Sequence, residues 1–298
     1  MCELSGVSRA GFYRHWEASA PRQADTAVRD TVQQIAVAKR FYGYRRVQRE
    51  LRQRGYCVNA KRVLRLMRED NLLSLRTRRF VPAATDSQHG WRVWPNLARG
   101  LVTRNINELW VADITYVRLR EEFVYVAVVL DAHSRRVIGW AVARHLGASV
   151  AVQALHMALA ERQPAPGLIH HSDRGIQYAC ADYLTLLAEH GVQPSMSRVG
   201  NPYDNAKAES FMKTLKQEQV LGNRWRDLGA MRADLATFFE ITYNHQRLHS
   251  ALDYQTPAAF EQQLLCAPTA EASTELAGAR ELTAPSPQTP LPGLQSCT

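Results

Sequence analysis

The chain has 298 residues, 46% of them hydrophobic, with a formal net charge of +9, which suits one large domain or two modest ones with a sizeable core. No apolar run approaches the roughly 18 residues of a membrane span, and the N-terminal stretch MCELSGVSRAGFYRHW lacks the apolar segment of a secretory signal, so the expectation is a cytoplasmic protein with no membrane partner. The five cysteines (Cys2, Cys57, Cys180, Cys266 and Cys297) are scattered without a CxxC pair, which argues against a disulfide framework or a cysteine zinc site.

The charge is unevenly spread. Residues 1–100 hold 20 Lys and Arg against 8 Asp and Glu, whereas residues 101–298 hold 17 against 20. The basic excess is confined to the first third and is mostly arginine, whose planar fork suits phosphate, so a polyanion partner is expected there.

Residues 1–82 read as a basic helical region. Val28, Val32, Ile35 and Ala36 repeat at helical period over Asp25 to Arg40. A turn at Tyr42-Gly43-Tyr44 leads to a second helix, Arg45 to Arg54, with Val47 and Leu51 inward and Gly55 as its stop. Asn59 is a good N-cap for a third helix with Val63, Leu64 and Met67 inward. Its outward face carries Lys61, Arg62, Arg65 and Arg68. Helix, short connection and basic helix make the helix-turn-helix pattern, with Arg45, Arg46, Lys61, Arg62 and Arg65 as candidate DNA contacts. Residues 83–105, with Pro95 and Gly100 and no periodicity, read as a linker.

Residues 106–262 alternate strands and helices. Leu109 to Val117 and Phe123 to Leu130 are β-rich and joined by a short polar segment, so they predict a hairpin. Val137 to Ala143 is a third strand and Gly167 to His171 a short fourth. Helices are expected over Ala148 to Arg162, Ile176 to His190 and Asn205 to Gln219, with at least two more before residue 262. Residues 263–298 are rich in Ala, Thr, Pro and Ser and read as a disordered tail.

Three acidic positions depart from simple core packing. Asp113 interrupts the apolar strand Trp110-Val111-Ala112 and Ile114-Thr115-Tyr116. A carboxylate there must be paired, hydrated or metal-bound. Asp173 follows His170-His171-Ser172 at a strand end, where Gly175 would permit an unusual turn. Glu209 lies near the start of a helix after Asn201-Pro202-Tyr203-Asp204-Asn205. Hard divalent cations take oxygen ligands, and two such ions roughly 3.5–4 Å apart can activate an attacking oxygen and stabilise a leaving one. By residue type alone, three unrelated surface carboxylates are the better description.

Between Asp173 and Glu209 lie 35 residues, and Lys213 and Lys216 follow Glu209 by four and seven positions, on its helical face. This resembles the Asp, Asp-35-Glu pattern of retroviral-type integrases and insertion-sequence transposases. The strings Tyr42 to Arg46, Trp110 to Thr115, His171 to Gly175, Tyr203 to Phe211, and Tyr243-Asn244 with Arg247, His249, Leu252, Thr256 and Pro257 resemble the transposases of insertion-sequence family three in particular, over about residues 40–262. That resemblance implies a ribonuclease-H-like α/β core, a mixed five-stranded sheet flanked by helices, behind a small all-α helix-turn-helix domain. It also implies Asp113, Asp173 and Glu209 as catalytic metal ligands for two Mg²⁺ (or Mn²⁺) ions, with Lys213 and Lys216 on the DNA ends. Implied partners are terminal inverted repeats, target DNA, further copies of the chain and the product of an upstream reading frame; the implied location is the nucleoid. Ile176, Pro202 and Leu248 depart from the family's usual residues, and the integrases' His-His-Cys-Cys zinc domain is absent.

His245 and His249 stand four apart but lack a third zinc ligand. Asp131 and Asp204 read as turn and capping residues. His170 and His171 either orient a ligand or pack. A non-catalytic DNA-binding repressor and a stand-alone nuclease of the same fold remain as alternatives.

Overall fold

A computed structural model of the chain describes residues 8, 25–74, 92–198, 201–221 and 223–266. The expected tail lies almost wholly outside the described residues, as do residues 83–91 of the linker and residues 1–7, 9–24 and 75–82 of the basic region.

Among the described residues three short helices come first: α1 (Thr26–Ala38), α2 (Tyr44–Gln53) and α3 (Ala60–Glu69). Val32, Ile35, Val47, Leu51, Val63, Leu66 and Met67 form their shared core. Leu66, not Leu64, joins Val63 and Met67 in that core; Leu64 is only half-buried. Gly55, at φ +87, ends α2, with the Tyr56 amide reaching back to the Leu51 carbonyl, a left-handed helix stop that glycine adopts without a Cβ penalty. The Asn59 side chain accepts from the Lys61 amide at 2.9 Å and caps α3.

The remainder is built on one five-stranded sheet: β1 (Leu109–Arg118), β2 (Phe123–Asp131), β3 (Val137–Ala143), β4 (Ile169–Ser172) and β5 (Gln193–Met196), in the order β3-β2-β1-β4-β5. β1, β2 and β3 are an antiparallel meander, while β4 and β5 run parallel to β1. Strand alternation sends Leu109, Val111, Val126 and Val128 to one face, under α7 (Ala206–Leu215) and α8 (Leu228–Thr237). It sends Trp110, Ala112, Ala127 and Val129 to the other, under α4 (Ala148–Arg162) and α6 (Ala181–Glu189). Gly139 lets β3 and α4 meet, because a Cβ there would stand 2.2 Å from the Ala154 carbonyl oxygen.

The helix expected over Ile176 to His190 is two. Cys180, at φ −71 and ψ 154, is extended and separates α5 (Ile176–Ala179) from α6. The helix expected over Asn205 to Gln219 begins as a 3₁₀ turn at Pro202–Asn205 and ends as a π-helical turn at Lys216–Val220. α8 likewise runs into a π-helical stretch, Phe238–Gln246, and α9 (Pro257–Cys266) closes the described chain.

The helical unit docks on the segment after that stretch. The Leu248 amide donates to the Tyr42 hydroxyl at 3.0 Å, a bond that a proline at this position could not make. Leu248 and Tyr254 pack into the three-helix core, and Arg49 pairs with Asp253 at 2.9 Å. Among the described residues no helix is long and apolar enough to cross a membrane.

Candidate active site

The sheet register carries the geometry. β1 and β4 are parallel neighbours with Val111 opposite His171. Continued by two residues, that register puts Asp113 beside Asp173, on strands about 4.8 Å apart. Residues two apart share a face, so both carboxylates project to the face of Val111, which α7 covers. Glu209 sits in the first turn of α7. The start of that helix is tied to β1 by Asn205, whose side-chain amide donates to the Ala112 carbonyl at 3.0 Å, one residue before Asp113.

The electrostatics agree. Burial, the neighbouring Asp173 and then Glu209 push the Asp113 carboxyl up to about 7, against a backbone hydrogen bond from Ile114 and the charge of Lys216. Lys216 lies over the Tyr116 ring at 4.9 Å, and burial lowers its ammonium while Asp113 holds it up. Lys213 is exposed on the next turn back. Asp173 is set by its own loop: its Oδ1 accepts from the Gly175 amide at 2.9 Å, and Arg174 donates to the Ser197 carbonyl at 2.6 Å. Gly175 makes no unusual turn, since its φ is −65. A Cβ there would stand 2.7 Å from Gln177 Oε1 and 3.0 Å from Asp173 Oδ1, so a side chain would press on the carboxylate that the loop sets.

This donor set fits a hard divalent cation: oxygen ligands only, with like charges that the protein leaves crowded together. The acids flank one corner and do not form a closed cage, for no group of three or more His, Cys, Asp or Glu side chains among the described residues is already arranged to hold a metal.

Other candidates resolve as structure. His171 is buried, with its ring nitrogens 2.8 Å from Ser195 Oγ and 3.0 Å from Ser197 Oγ. The buried His170 ring bonds the Tyr183 hydroxyl at 3.0 Å. Burial drives both rings down, to about 3 for His170 and about 4 for His171, so both are neutral braces. Asp131 accepts from the Asn107, His133 and Ser134 amides and shapes a turn. Asp204 caps nothing; it accepts both arms of Arg198. His245 is exposed on the π-helical stretch and His249 is buried beyond its end, so they share no helical face.

Of the basic candidates, Arg45 and Lys61 are exposed. Arg62 and Arg65 both pair with the buried carboxylate of Asp25. Arg46 is half-buried and turns toward the core, over the Tyr42 ring. Sequence reasoning gave no role to Asn205, the anchor of α7, or to Tyr178, whose buried hydroxyl has no hydrogen-bond partner among the described residues and is raised by burial and by Asp173. Asn205 lay within a resembling string; nothing marked Tyr178.

Comparison with known proteins agrees with this architecture. Residues 104–202 and 190–257 each match a model described as an integrase core domain, and residues 23–80 match an HTH-like domain. The chain is 38% identical over 268 residues to the insertion element IS600 uncharacterized 31 kDa protein of Shigella sonnei, covering 88% of this chain and 98% of that one. It is 36% identical over 271 residues to the transposase InsF for insertion sequence IS3A of Escherichia coli K12, covering 89% and 94%. The chain belongs to the IS3 family of insertion-sequence transposases. Its core is the ribonuclease-H-like integrase fold, and an HTH-like domain precedes it. A chain of the simian T-cell lymphotropic virus intasome superposes loosely, with TM-score 0.44 and 15% identity, covering 89% of this chain and 80% of that one.

In this transposase several residues of the resembling C-terminal strings serve the fold. Asn244 clasps the start of β3 through two hydrogen bonds with Val137, at 2.9 and 3.0 Å. Thr256 Oγ1 accepts from the Ala259 amide at the head of α9.

Proposed function

We propose that the protein cuts DNA at the ends of an insertion sequence and joins the freed 3′ ends to target DNA, with Asp113, Asp173 and Glu209 holding two Mg²⁺ (or Mn²⁺) ions. The observation that carries this reading is the β1–β4 register, which sets Asp113 beside Asp173 on the face that α7 covers. The bound ions would supply Lewis-acid activation of the attacking oxygen and charge neutralisation at the leaving one.

In the first step a water oxygen bonds to phosphorus and the bond to the 3′ oxygen breaks, leaving a 3′-OH and a 5′-phosphate. In the second step that 3′ oxygen attacks a target phosphodiester, whose own 3′-OH departs. The chain's contribution is positioning and fixed charge. Asp113 and Asp173 stand on adjacent strands, Asn205 holds the Glu209 helix against β1, and Lys213 and Lys216 bind phosphates beside the acids. Arg45, Arg46, Lys61, Arg62 and Arg65 serve the terminal repeats, Arg62 and Arg65 with part of their donor capacity taken by Asp25.

The working division is a DNA-binding region over residues 1–82, a linker over 83–105, a catalytic core over 106–262 and a tail over 263–298. Two copies or more would hold the two element ends, with the upstream-frame product as a fusion partner, in the cytoplasm on the nucleoid.

The test is an end-cleavage and strand-transfer assay on labelled oligonucleotides with Mg²⁺. Wild type should yield joined products, and Asp113→Asn should lose cleavage by at least ~10²-fold while still retarding DNA. Full cleavage by the variant would sink the triad, and cleavage without joining would make the protein a nuclease.

A further inference from the structure

A cavity of about 190 Å³ lies on the far side of α7 from the acids. Lys207, Ser210 and Thr214 of α7 face it, whereas Glu209 and Lys213 belong to the opposite side of the same helix. Four parts of the chain contribute cations: Arg46 from α2, Arg135 from the β2–β3 turn, Lys207 from α7 and Arg247 from the segment after the π-helical stretch.

Arg247 is paired with Glu218 at 2.8 Å. Arg46, Arg135 and Lys207 are half-buried and have no ion pair among the described residues. The one carboxylate on the wall, Asp131, is committed to its own turn. Burial lowers Lys207 first and the charge of Arg135 lowers it further; burial and then Arg247 do the same to Arg46. His249, on the wall, is buried and neutral, held down by burial and by Arg247, Arg46 and Arg135. Arg135 also holds a left-handed φ of 64, a strained backbone state for a residue with a Cβ.

Half-buried, mutually repelling cations around a concavity call for an anion. We infer that this cavity is a phosphate site that takes one backbone phosphodiester of DNA, so that a strand crossing α7 is held on one side at the cations and on the other at the acids. The inference rests on DNA being the substrate. It adds Arg135, Lys207 and Arg247 to the DNA surface and gives Arg46 a defined place on it. It also joins the helical unit to the catalytic core through the ligand, since Arg46 comes from one and the other cations from the rest.

The test is DNA binding by the full chain, followed by fluorescence anisotropy across a salt series with Mg²⁺ omitted. Lys207→Gln and Arg46→Gln are compared with Arg232→Gln, an exposed arginine of α8 away from the cavity. Loss of one phosphate contact should reduce the slope of log affinity against log salt by about 0.9. Each cavity variant should therefore flatten the slope by about that amount and bind more weakly at low salt, with Arg232→Gln at the wild-type slope. Thermal midpoints of the cavity variants at or above wild type exclude unfolding as the cause, because removing a repelling cation relieves the site.

Wild-type slopes in both cavity variants would overturn the inference even if wild type cleaves and joins. Flattened slopes support it even if no joining is seen, and the failure then belongs to the proposed chemistry. Stabilisation of wild type but not Lys207→Gln by inorganic phosphate, with unchanged DNA slopes, would assign the cavity to a free anion and likewise overturn it.

Discussion

The two sides of α7 present the same problem with opposite signs. On one, burial first and then the neighbouring Asp173 and Glu209 carboxylates push Asp113 up to about 7. On the other, Arg46, Arg135 and Lys207 crowd a cavity without an ion pair among the described residues. Elsewhere the fold neutralises its charges. Buried Glu261 of α9 accepts from Arg162 at 2.6 Å, Arg136 at 2.9 Å and Ser134 at 2.6 Å, and Asp25 takes both Arg62 and Arg65. Opposite charges paired within the fold hold the fold; like charges crowded together favour a bound counter-charge. The contrast can be broken by changing one residue on each kind of cluster.

The largest stability effect belongs to the satisfied cluster. Glu261→Gln leaves the nearly buried Arg162 guanidinium without its counter-charge and should destabilise the protein by ~3 kcal/mol, read by chemical denaturation, with little change in DNA binding at permissive temperature. Burial opposes ionisation of Glu261, but the hydrogen bonds from Arg162 and Ser134 and the charge of Arg162 outweigh it and hold the carboxyl below its usual 4.5. Its contribution is therefore present above pH 4.5 and is lost as pH falls through the lower folded value. A Glu261→Gln deficit that persists undiminished at pH 3 would mean that the pair is not the cause.

The crowded acids should behave the other way. The folded Asp113 carboxyl titrates at about 7, above its ordinary 3.8, so ionising it works against the metal-free fold. Asp113→Asn should then be the more stable protein above pH 7 without metal, by up to ~2 kcal/mol once solvent screening is allowed for. The gap should close as pH falls toward 4. Mg²⁺ should raise the thermal midpoint of wild type more than that of the variant. A variant that is less stable at pH 8 without metal would show that the carboxylate is satisfied by the fold after all.

What the sequence made legible follows from the same physics. β1 to β4 announce themselves as β-rich runs. β5, Gln193-Pro194-Ser195-Met196, does not, being four residues long, half polar and interrupted by a proline. It is tolerated because it lies at the sheet edge, where a missing N–H need not break a ladder. The break at Cys180 is equally silent, because no glycine or proline marks it. Asp113 was visible as a charge in an apolar strand, while Glu209 stood out only through its interval from Asp173. The cationic cavity was not legible at all: its four cations come from four segments between positions 46 and 247, and only the folded chain brings them together.

The smallest stability effect tests whether the two sides of α7 are one device. Asn205 fixes the helix start to β1 through the Ala112 carbonyl, and both Glu209 and Lys207 lie within the next four residues. Asn205→Ala removes that bond and leaves a buried carbonyl without it, at a cost of about 1 kcal/mol. The functional loss should exceed the stability loss, because a shift of about 1 Å at reacting groups can lower a rate by ~10²-fold. If α7 carries both sites, the variant should lose end cleavage and also flatten the salt dependence of DNA binding, as Lys207→Gln does. If only cleavage falls, the cavity is positioned by β2 and the C-terminal segment and the helix serves the acids alone. If neither changes while the midpoint drops, Asn205 is an ordinary fold bond and the corner is held by the packing of Ala208, Phe211 and Leu215 against the sheet.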